Sequence, residues 1–179
     1  MPGRKTPLIS EQHYHAFNKS INHEPIFTTF KDCRRSLMVM DYYRFKKPPI
    51  KLSHLLKLNK EIKDSLMKSW KKETEKLVEI ICFCLMPNHF HFILKQISDN
   101  GISAFLSLFQ NSYSRYFNTR HDRHGHIFQG QFKAVRIETE EYLLHLSRYI
   151  HLNPYSSFLI KDLSGLKNYP WSSLSEYLE

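Results

Sequence analysis

Cysteine is scarce in this chain. The three cysteines are an odd number, and Cys82 and Cys84 stand two apart in an apolar segment. Thiols in this pattern are typical of small buried residues in a reducing compartment, and they argue against a disulfide framework. A zinc site that combines them with His89 and His91 is an alternative, although Cys-x-Cys is a poor match to the usual zinc-binding spacing.

Long apolar runs are also missing. No segment reaches the roughly 20 apolar residues of a membrane-spanning helix, and the N-terminus lacks the apolar region of a signal peptide. We therefore expect a soluble, cytoplasmic protein with no membrane partner. Neither a repeat nor a linker divides the 179 residues, so we predict a flexible polar arm over residues 1–12 and one domain over residues 13–179.

Acidic residues are outnumbered by basic ones. Seventeen Asp and Glu stand against 26 Lys and Arg, which gives a net charge of +9 and a pI near 9.4. This excess favours a polyanionic partner such as nucleic acid, and hence a nucleoid-associated protein. A solvated face would explain the charge alone, but aromatic residues are interleaved with it at residues 113–117, as in proteins that stack bases.

Hydrophobic periodicity and turn residues divide the chain into strands and helices. Thr28 or Thr29 can cap the first helix, and Pro154 is expected to end the last one. The expected strands are residues 13–19, 79–84 and 89–96, and residues 125–137 are expected to form a strand pair or a strand-like loop that turns at Gly130. The expected helices are residues 29–45, 53–75, 102–118 and 140–153. This order predicts an α+β fold, a ferredoxin-like antiparallel sheet with helices packed on it.

The segment His89-Phe90-His91 follows a tight Pro87-Asn88 step inside an apolar run. Side chains two apart in a strand point to the same face, so both imidazoles would project from one side of the sheet. Two neutral imidazoles on a rigid face form half of a divalent-metal site. A structural pair that binds no ligand is the plainer alternative.

The last predicted helix carries a second pair of candidate residues. Thr139 can cap this helix, and the two glutamates that follow suit the positive end of its dipole. Tyr149 and Asn153 are four apart, so they lie one turn apart on the same side. Taken alone, the helix favours a half-buried Tyr149 and an Asn153 that acts as a C-terminal cap.

The order of these segments resembles a known family. The chain resembles the single-tyrosine HUH transposases of insertion sequences, and most of all the REP-associated tyrosine transposases. The resemblance lies in the order of four segments, MPNHFHFIL, a basic aromatic region, GHIFQGQFKAVRI and YLLHLSRYIHLNP. The segments around residues 14–27 and the closing YPWSS resemble the family too. Asn18-Lys19-Ser20 departs from the Asn-Arg-Gly usual there, which removes a glycine from the expected turn.

The resemblance implies the HUH endonuclease fold and a transposase, an endonuclease and strand transferase that acts on single-stranded DNA with hairpin ends. It implies that Tyr149 is catalytic and forms a 5′-phosphotyrosine, and that His89, His91 and Asn153 bind Mg²⁺ or Mn²⁺. The protein would act in DNA recombination as a monomer or homodimer. A domesticated hairpin-binding protein without catalysis and an RNA-binding or RNA-processing protein stay open as alternatives.

Basic residues elsewhere are candidates for contact with the DNA backbone. The lysine-rich segment over residues 46–76 matches no motif, and its lysine face is predicted to follow phosphates. The histidines at 121, 124 and 126 are interpreted as a phosphate-contacting loop, with a second metal site as the alternative. The candidate DNA-binding residues are Lys19, Arg115, Arg120, Arg123, Lys133, Arg136 and Arg148.

Overall fold

The computed structural model describes residues 7–178, and its centre is a four-stranded antiparallel sheet. The strands are β1 (His13–Lys19), β2 (Val78–Met86), β3 (His89–Gln96) and β4 (Lys133–Ile137). Their spatial order is β2-β3-β1-β4, and every neighbouring pair is antiparallel. Helices stand between β1 and β2 and between β3 and β4, which is the ferredoxin-like chain order. The predicted fold class is therefore confirmed.

Two long helices, α1 (Phe30–Tyr43) and α4 (Gly101–Arg120), cover one face of the sheet. The hydroxyl of Thr29 accepts a backbone N–H in the first turn of α1 at 3.1 Å, so Thr29 is the cap. Phe92 of β3 and Phe109 of α4 are fully buried, with ring centroids 5.5 Å apart. The main core lies between this face and the two helices. No helix of the described residues is long and apolar enough to cross a membrane.

Helix α5 (Glu140–Ser156) covers the opposite face. It packs through Leu146 and Ile150 against a smaller apolar cluster that includes Ile93 of β3. Neighbouring residues of a strand point to opposite faces, so His91 and Ile93 lie on the α5 side while the phenylalanines beside them enter the main core. The helix that carries Tyr149 is thus placed against the face that carries the histidines.

One predicted helix is divided in the structure. The expected helix over residues 53–75 is two helices, α2 (Leu52–Leu55) and α3 (Lys60–Glu73), because Asn59 accepts a backbone N–H in the first turn of α3 at 2.9 Å and caps it. Of the two forms expected for residues 125–137, the structure has no strand pair but a loop through Gly130 that leads into one strand, β4. The loop before β4 makes only an isolated bridge to the residue after β1.

Helix α5 does not end at Pro154, contrary to the prediction, but continues to Ser156. Proline has no N–H to donate to the carbonyl of Ile150 four residues earlier. The side-chain amide of Asn153 instead donates to the carbonyl oxygens of Tyr149 at 2.9 Å and of Ile150 at 3.5 Å. This amide partly replaces the bond that the proline removes, so the helix tolerates it.

The two ends of the described chain are fastened to the sheet. Residues 1–6 of the expected arm lie outside the described residues, but Gln96 donates to the carbonyl of Leu8 at 2.8 Å. At the other end, the short helix α6 (Leu174–Leu178) follows a segment paired with β2, where Leu85 donates to the carbonyl of Trp171 at 2.8 Å. The arm and the domain boundary at residue 13 stay predictions.

Candidate active site

Strand β3 presents His89 and His91 on the face that α5 covers. Their ring centroids are 5.1 Å apart and the ring planes are perpendicular. His91 is buried and His89 is half-buried. The two imidazoles therefore lie side by side, held by one strand in the middle of the sheet.

A third histidine, His15 of β1, lies against this pair. Strand pairing sets Phe17 opposite His91, and His15 shares that face two residues away. Nε2 of His15 is 2.9 Å from Nδ1 of His91, and the rings stack with centroids 5.1 Å apart. Sequence reasoning missed this contact. The available signal was the repeat of histidine at positions 13 and 15, which resembles the pair in β3.

Burial keeps the three histidines neutral. It lowers the pKa of His91 to about 3 and the pKa of His15 to about 4, and it lowers the pKa of His89 as well. Nδ1 of His89 lies 2.6 Å from the side-chain oxygen of Asn88. Because that oxygen only accepts, Nδ1 carries the proton and Nε2 keeps a lone pair. Such a partner orients histidines that bind metals.

The nitrogen atoms of the pair fit a divalent cation. Nδ1 of His91 is engaged with His15, which leaves Nε2 free to coordinate, as in His89. Neutral imidazoles suit several divalent ions. No group of three or more His, Cys, Asp or Glu is arranged to hold a metal within residues 7–178.

Tyr149 of α5 lies over the histidine pair. Its ring centroid is 6.0 Å from that of His91, and 51% of its surface is exposed. Two other tyrosines, Tyr113 and Tyr116 of α4, lie in the main core and are not available as nucleophiles. Tyr113 is fully buried, and the hydroxyl of Tyr116 donates to a buried carboxylate at 3.1 Å. Tyr142 is exposed but precedes Tyr149 by roughly 10 Å along α5.

Asn153 follows Tyr149 by one turn. Its amide nitrogen donates to the backbone of α5, so the side-chain oxygen is the atom that could coordinate a cation. The structure thus gives Asn153 a part in supporting the end of the helix. Its part as a metal ligand stays a prediction.

The predicted DNA-binding residues fall into separate places. Lys19 and Lys133 line a cleft of about 630 Å³ beside His89, here called the histidine cleft, whose walls include Gln129 and Gln131. Arg115 and Arg120 lie on the far side of the sheet, on α4. Arg148 is exposed on α5 beside Tyr149.

Three of the predicted arginines already have protein partners, which reduces their availability to a phosphate. Nε of Arg120 lies 3.2 Å from the carboxylate of Asp32, and the guanidinium of Arg123 lies 2.6 Å from the carboxylate of Glu24. The guanidinium of Arg136 donates to the side-chain oxygen of Gln12 at 2.9 Å. Asp32 is fully buried, so Arg120 neutralises it.

The alternative zinc site does not form. Sγ of Cys82 lies 3.4 Å from Nε2 of His151, away from the histidine pair, and burial raises the pKa of Cys82 to about 12. Burial raises the pKa of Cys84 as well, and neither cysteine belongs to a group of three or more His, Cys, Asp or Glu arranged to hold a metal within the described chain. The three histidines after α4 also form no metal cluster within the described chain.

Comparison with known proteins places the chain in a family. Residues 54–153, more than half of the chain, match the family model described as Transposase IS200 like, whereas no curated protein matches. A solved REP-associated tyrosine transposase bound to a REP hairpin has 15% identity and a TM-score of 0.61, over 98% of this chain and 84% of that one.

A second solved structure, a protein of Deinococcus radiodurans assigned as a transposase, has 11% identity and a TM-score of 0.45 over 84% of this chain and 95% of its own. This likeness is too distant to carry an argument. The likeness to the REP-associated enzyme confirms the predicted HUH fold. The family match confirms the resemblance seen in the sequence motifs, and the chain belongs to the IS200-like transposases.

Proposed function

We propose that the protein is a metal-dependent single-stranded DNA endonuclease and strand transferase in which Tyr149 forms a 5′-phosphotyrosine. The main support is the position of an exposed tyrosine ring 6.0 Å from buried His91, across from two neutral imidazoles. A nucleophile on one element and a metal-binding pair on the facing element can act on the same phosphate.

His89 and His91, together with Asn153, would hold the Mg²⁺ or Mn²⁺ ion. When bound, the ion supplies Lewis-acid polarisation and orientation of the scissile phosphate. The chain itself keeps both imidazoles neutral through burial. It also orients them through the contacts with His15 and Asn88.

In the proposed reaction the phenolate oxygen of Tyr149 attacks phosphorus, and the bond from phosphorus to the 3′ oxygen breaks. One phosphodiester replaces another, so the released 3′-hydroxyl can later attack the phosphotyrosine and rejoin a strand. A free tyrosine has a pKa near 10, so the phenol has to give up its proton to react. Arg148 and, one turn before Tyr149, His145 are exposed basic residues placed to stabilise the negative charge.

DNA with hairpin ends is the proposed substrate. The solved REP-associated enzyme is bound to a REP hairpin, and this chain has a net charge of +9 with two lysines in the histidine cleft. Lysine and arginine contacts to phosphates supply most of the affinity for nucleic acid. Hairpin binding and cleavage should therefore be separable by mutation.

The decisive experiment looks for a covalent adduct. The full chain is incubated with hairpin-bearing single-stranded oligonucleotides and Mg²⁺ or Mn²⁺, and adducts are detected on a denaturing gel and located by mass spectrometry. We expect the nucleotide on Tyr149 and no adduct from Tyr149→Phe. Tyr142→Phe is the matched control, because Tyr142 is an exposed tyrosine of the same helix, and it should keep the adduct.

An adduct on another tyrosine, or cleavage by Tyr149→Phe, would contradict the assignment. Tight hairpin binding by the wild-type chain without any adduct would support the non-catalytic alternative, and cleavage of a matching RNA alone would support the RNA alternative. His91→Ala should abolish cleavage while hairpin affinity stays nearly unchanged, since phosphate contacts dominate binding.

A further inference from the structure

Three clefts of the protein lack acidic walls. The first is the histidine cleft. The second, here called the helix groove, has a volume of about 690 Å³ and lies where α1, α2 and α4 meet. The third, here called the loop groove, has a volume of about 290 Å³ and lies between α4 and the loop before β4. Neither Asp nor Glu among the described residues lines any of the three, although the chain contains 17. The histidine cleft and the helix groove also carry Lys or Arg and so favour a negatively charged ligand, while the loop groove between them is lined by none of the described Lys, Arg, Asp or Glu residues.

Neighbouring clefts share a lining residue. Asn111 lines both the helix groove and the loop groove, and Gln131 lines both the loop groove and the histidine cleft. The three clefts therefore adjoin one another in a series, here called the polar track, that starts on the face covered by α1 and α4 and ends beside His89. Because His89 faces α5, the polar track links the two faces of the sheet.

A stripe of polar residues on α4 runs from the loop groove to the helix groove. Its members recur every four positions, so consecutive members are neighbours and the stripe winds around the helix by about 40° at each step; they are Ser103, Ser107, Asn111, Arg115 and Thr119. This stripe is about 24 Å long at 1.5 Å per residue, comparable to about seven stacked nucleotides. A merely solvated helix surface ordinarily mixes acidic and basic residues, whereas α4 has two arginines and no acid.

Four basic residues line the helix groove, and three of them have no protein counter-ion among the described residues. Arg35, Lys51 and Arg115 form no salt bridge within residues 7–178, whereas Arg120 pairs with Asp32. Nε of Arg35 is buried without an acceptor, and its guanidinium lies 5.1 Å from the ring centroid of Tyr116. Arginine and lysine side chains in this state suit the phosphates of a nucleic-acid backbone.

The histidine cleft at the other end suits an unpaired nucleotide. The backbone N–H of Gln129 donates to the carbonyl of Lys19 at 2.8 Å, and Gly130 has a φ of 56°, which favours glycine. This fixed turn places Gln129 and Gln131 in the wall of the cleft, which Lys133 also lines. Glutamine carboxamides hydrogen-bond to base edges, and lysines bind phosphates.

We propose that the DNA strand that reaches Tyr149 lies along the polar track. The phosphates of the hairpin stem contact Arg35, Lys51 and Arg115, and the unpaired nucleotides pass Ser107 on their way to the histidine cleft. This inference rests on the proposed function, because it assumes that the substrate carries a hairpin. It adds that the stem and the scissile phosphate bind on opposite faces of the sheet.

The first test measures binding with the full-length Tyr149→Phe chain, so that cleavage does not interfere. Fluorescence anisotropy gives the Kd for a hairpin with a single-stranded extension over a range of salt concentrations. Arg115→Glu and Lys51→Glu should each weaken binding about tenfold. Each should also reduce the slope of log Kd against log salt by about one.

Lys167→Glu is the matched control, because Lys167 is an exposed lysine outside the three clefts and outside the lysine-rich segment, and the charge change is the same. Its affinity should change by less than about twofold. An equal loss in Lys167→Glu, or unchanged affinity in both groove variants, would overturn the polar track and leave the phosphotyrosine chemistry intact. If no hairpin bound at all, the proposed function would fail as well.

Cross-linking locates the unpaired nucleotides. The three native cysteines are buried, so Ser107→Cys adds one exposed thiol for a photoactivatable label. The label should cross-link to nucleotides between the stem and the scissile phosphate, whereas a label on Lys167→Cys should not. Cross-links from position 107 that fall only on the hairpin loop would refute the proposed path.

Discussion

Replacing His15 with phenylalanine tests whether the third histidine supports the metal pair. Nε2 of His15 lies 2.9 Å from Nδ1 of His91, and both side chains are buried. Phenylalanine keeps a ring beside Phe17, whose centroid is 4.8 Å from that of His15, but it removes the hydrogen bond. His91 can then turn, or take the tautomer that puts the proton on the nitrogen needed by the metal.

The size of the effect follows from this contact. A neutral hydrogen bond contributes about 0.5–1.5 kcal/mol, and removing a residue that orients a metal-bound histidine typically costs 10–100-fold in metal affinity or activity. We expect Mn²⁺ affinity to fall by about tenfold, or 1.4 kcal/mol. Hairpin affinity should stay within about twofold, because phosphate contacts carry it.

Calorimetric titration of Mn²⁺ into the wild-type, His15→Phe and His91→Ala chains measures the affinities directly. Cleavage rates over a range of metal concentrations give a second readout: excess metal should restore cleavage in His15→Phe but not in His91→Ala. Wild-type metal affinity in a folded His15→Phe chain would refute the reasoning. So would a loss of cleavage that no metal concentration reverses.

Three further predictions concern stability and reactivity. Burial lowers the pKa of His15 to about 4 and that of His91 to about 3, so between about pH 6.5 and pH 3 the unfolded chain binds more protons than the folded chain. The free energy of unfolding should therefore fall as the pH drops from about 6.5. Urea midpoints near pH 7 and about pH 5 should show this, with a smaller difference in His15→Phe. The thiol of Cys82, whose pKa burial raises to about 12, should resist alkylation in the native chain and react in urea, and rapid native labelling would contradict its burial. Phe158→Gly should raise the free energy of unfolding by about 1 kcal/mol, because Phe158 has a φ of 59° and is 90% exposed; a decrease in urea denaturation would show that the ring has a stabilising contact.

Errors of sequence reasoning arose where side chains replaced backbone hydrogen bonds. Pro154 is a reliable stop signal only if nothing else satisfies the carbonyl that it leaves free, and the Asn153 amide does so. Asn59 interrupts a continuous apolar pattern because its side chain caps a new helix. Both effects depend on the conformation of one side chain, which periodicity does not reveal.

The basic residues show the same limit. Arg115 and Arg120 are equivalent charges in the sequence and both line the helix groove, but Arg120 neutralises buried Asp32 while Arg115 has no salt-bridge partner among the described residues. Only packing distinguishes the two arginines, because the carboxylate comes from α1, far away along the chain. The same holds for Lys19 and Lys133, which strand pairing brings into one cleft.

By itself, the sequence determined that His89 and His91 share one face of a strand and that Tyr149 stands on a helix, because local periodicity decides both. The order of the motifs likewise indicated the transposase family, which the family match confirmed. Only the tertiary structure decided that α5 packs on the histidine face and that His15, 76 residues before His91, completes the cluster. Strand register and helix packing arise from burying the whole core, so no local pattern encodes them.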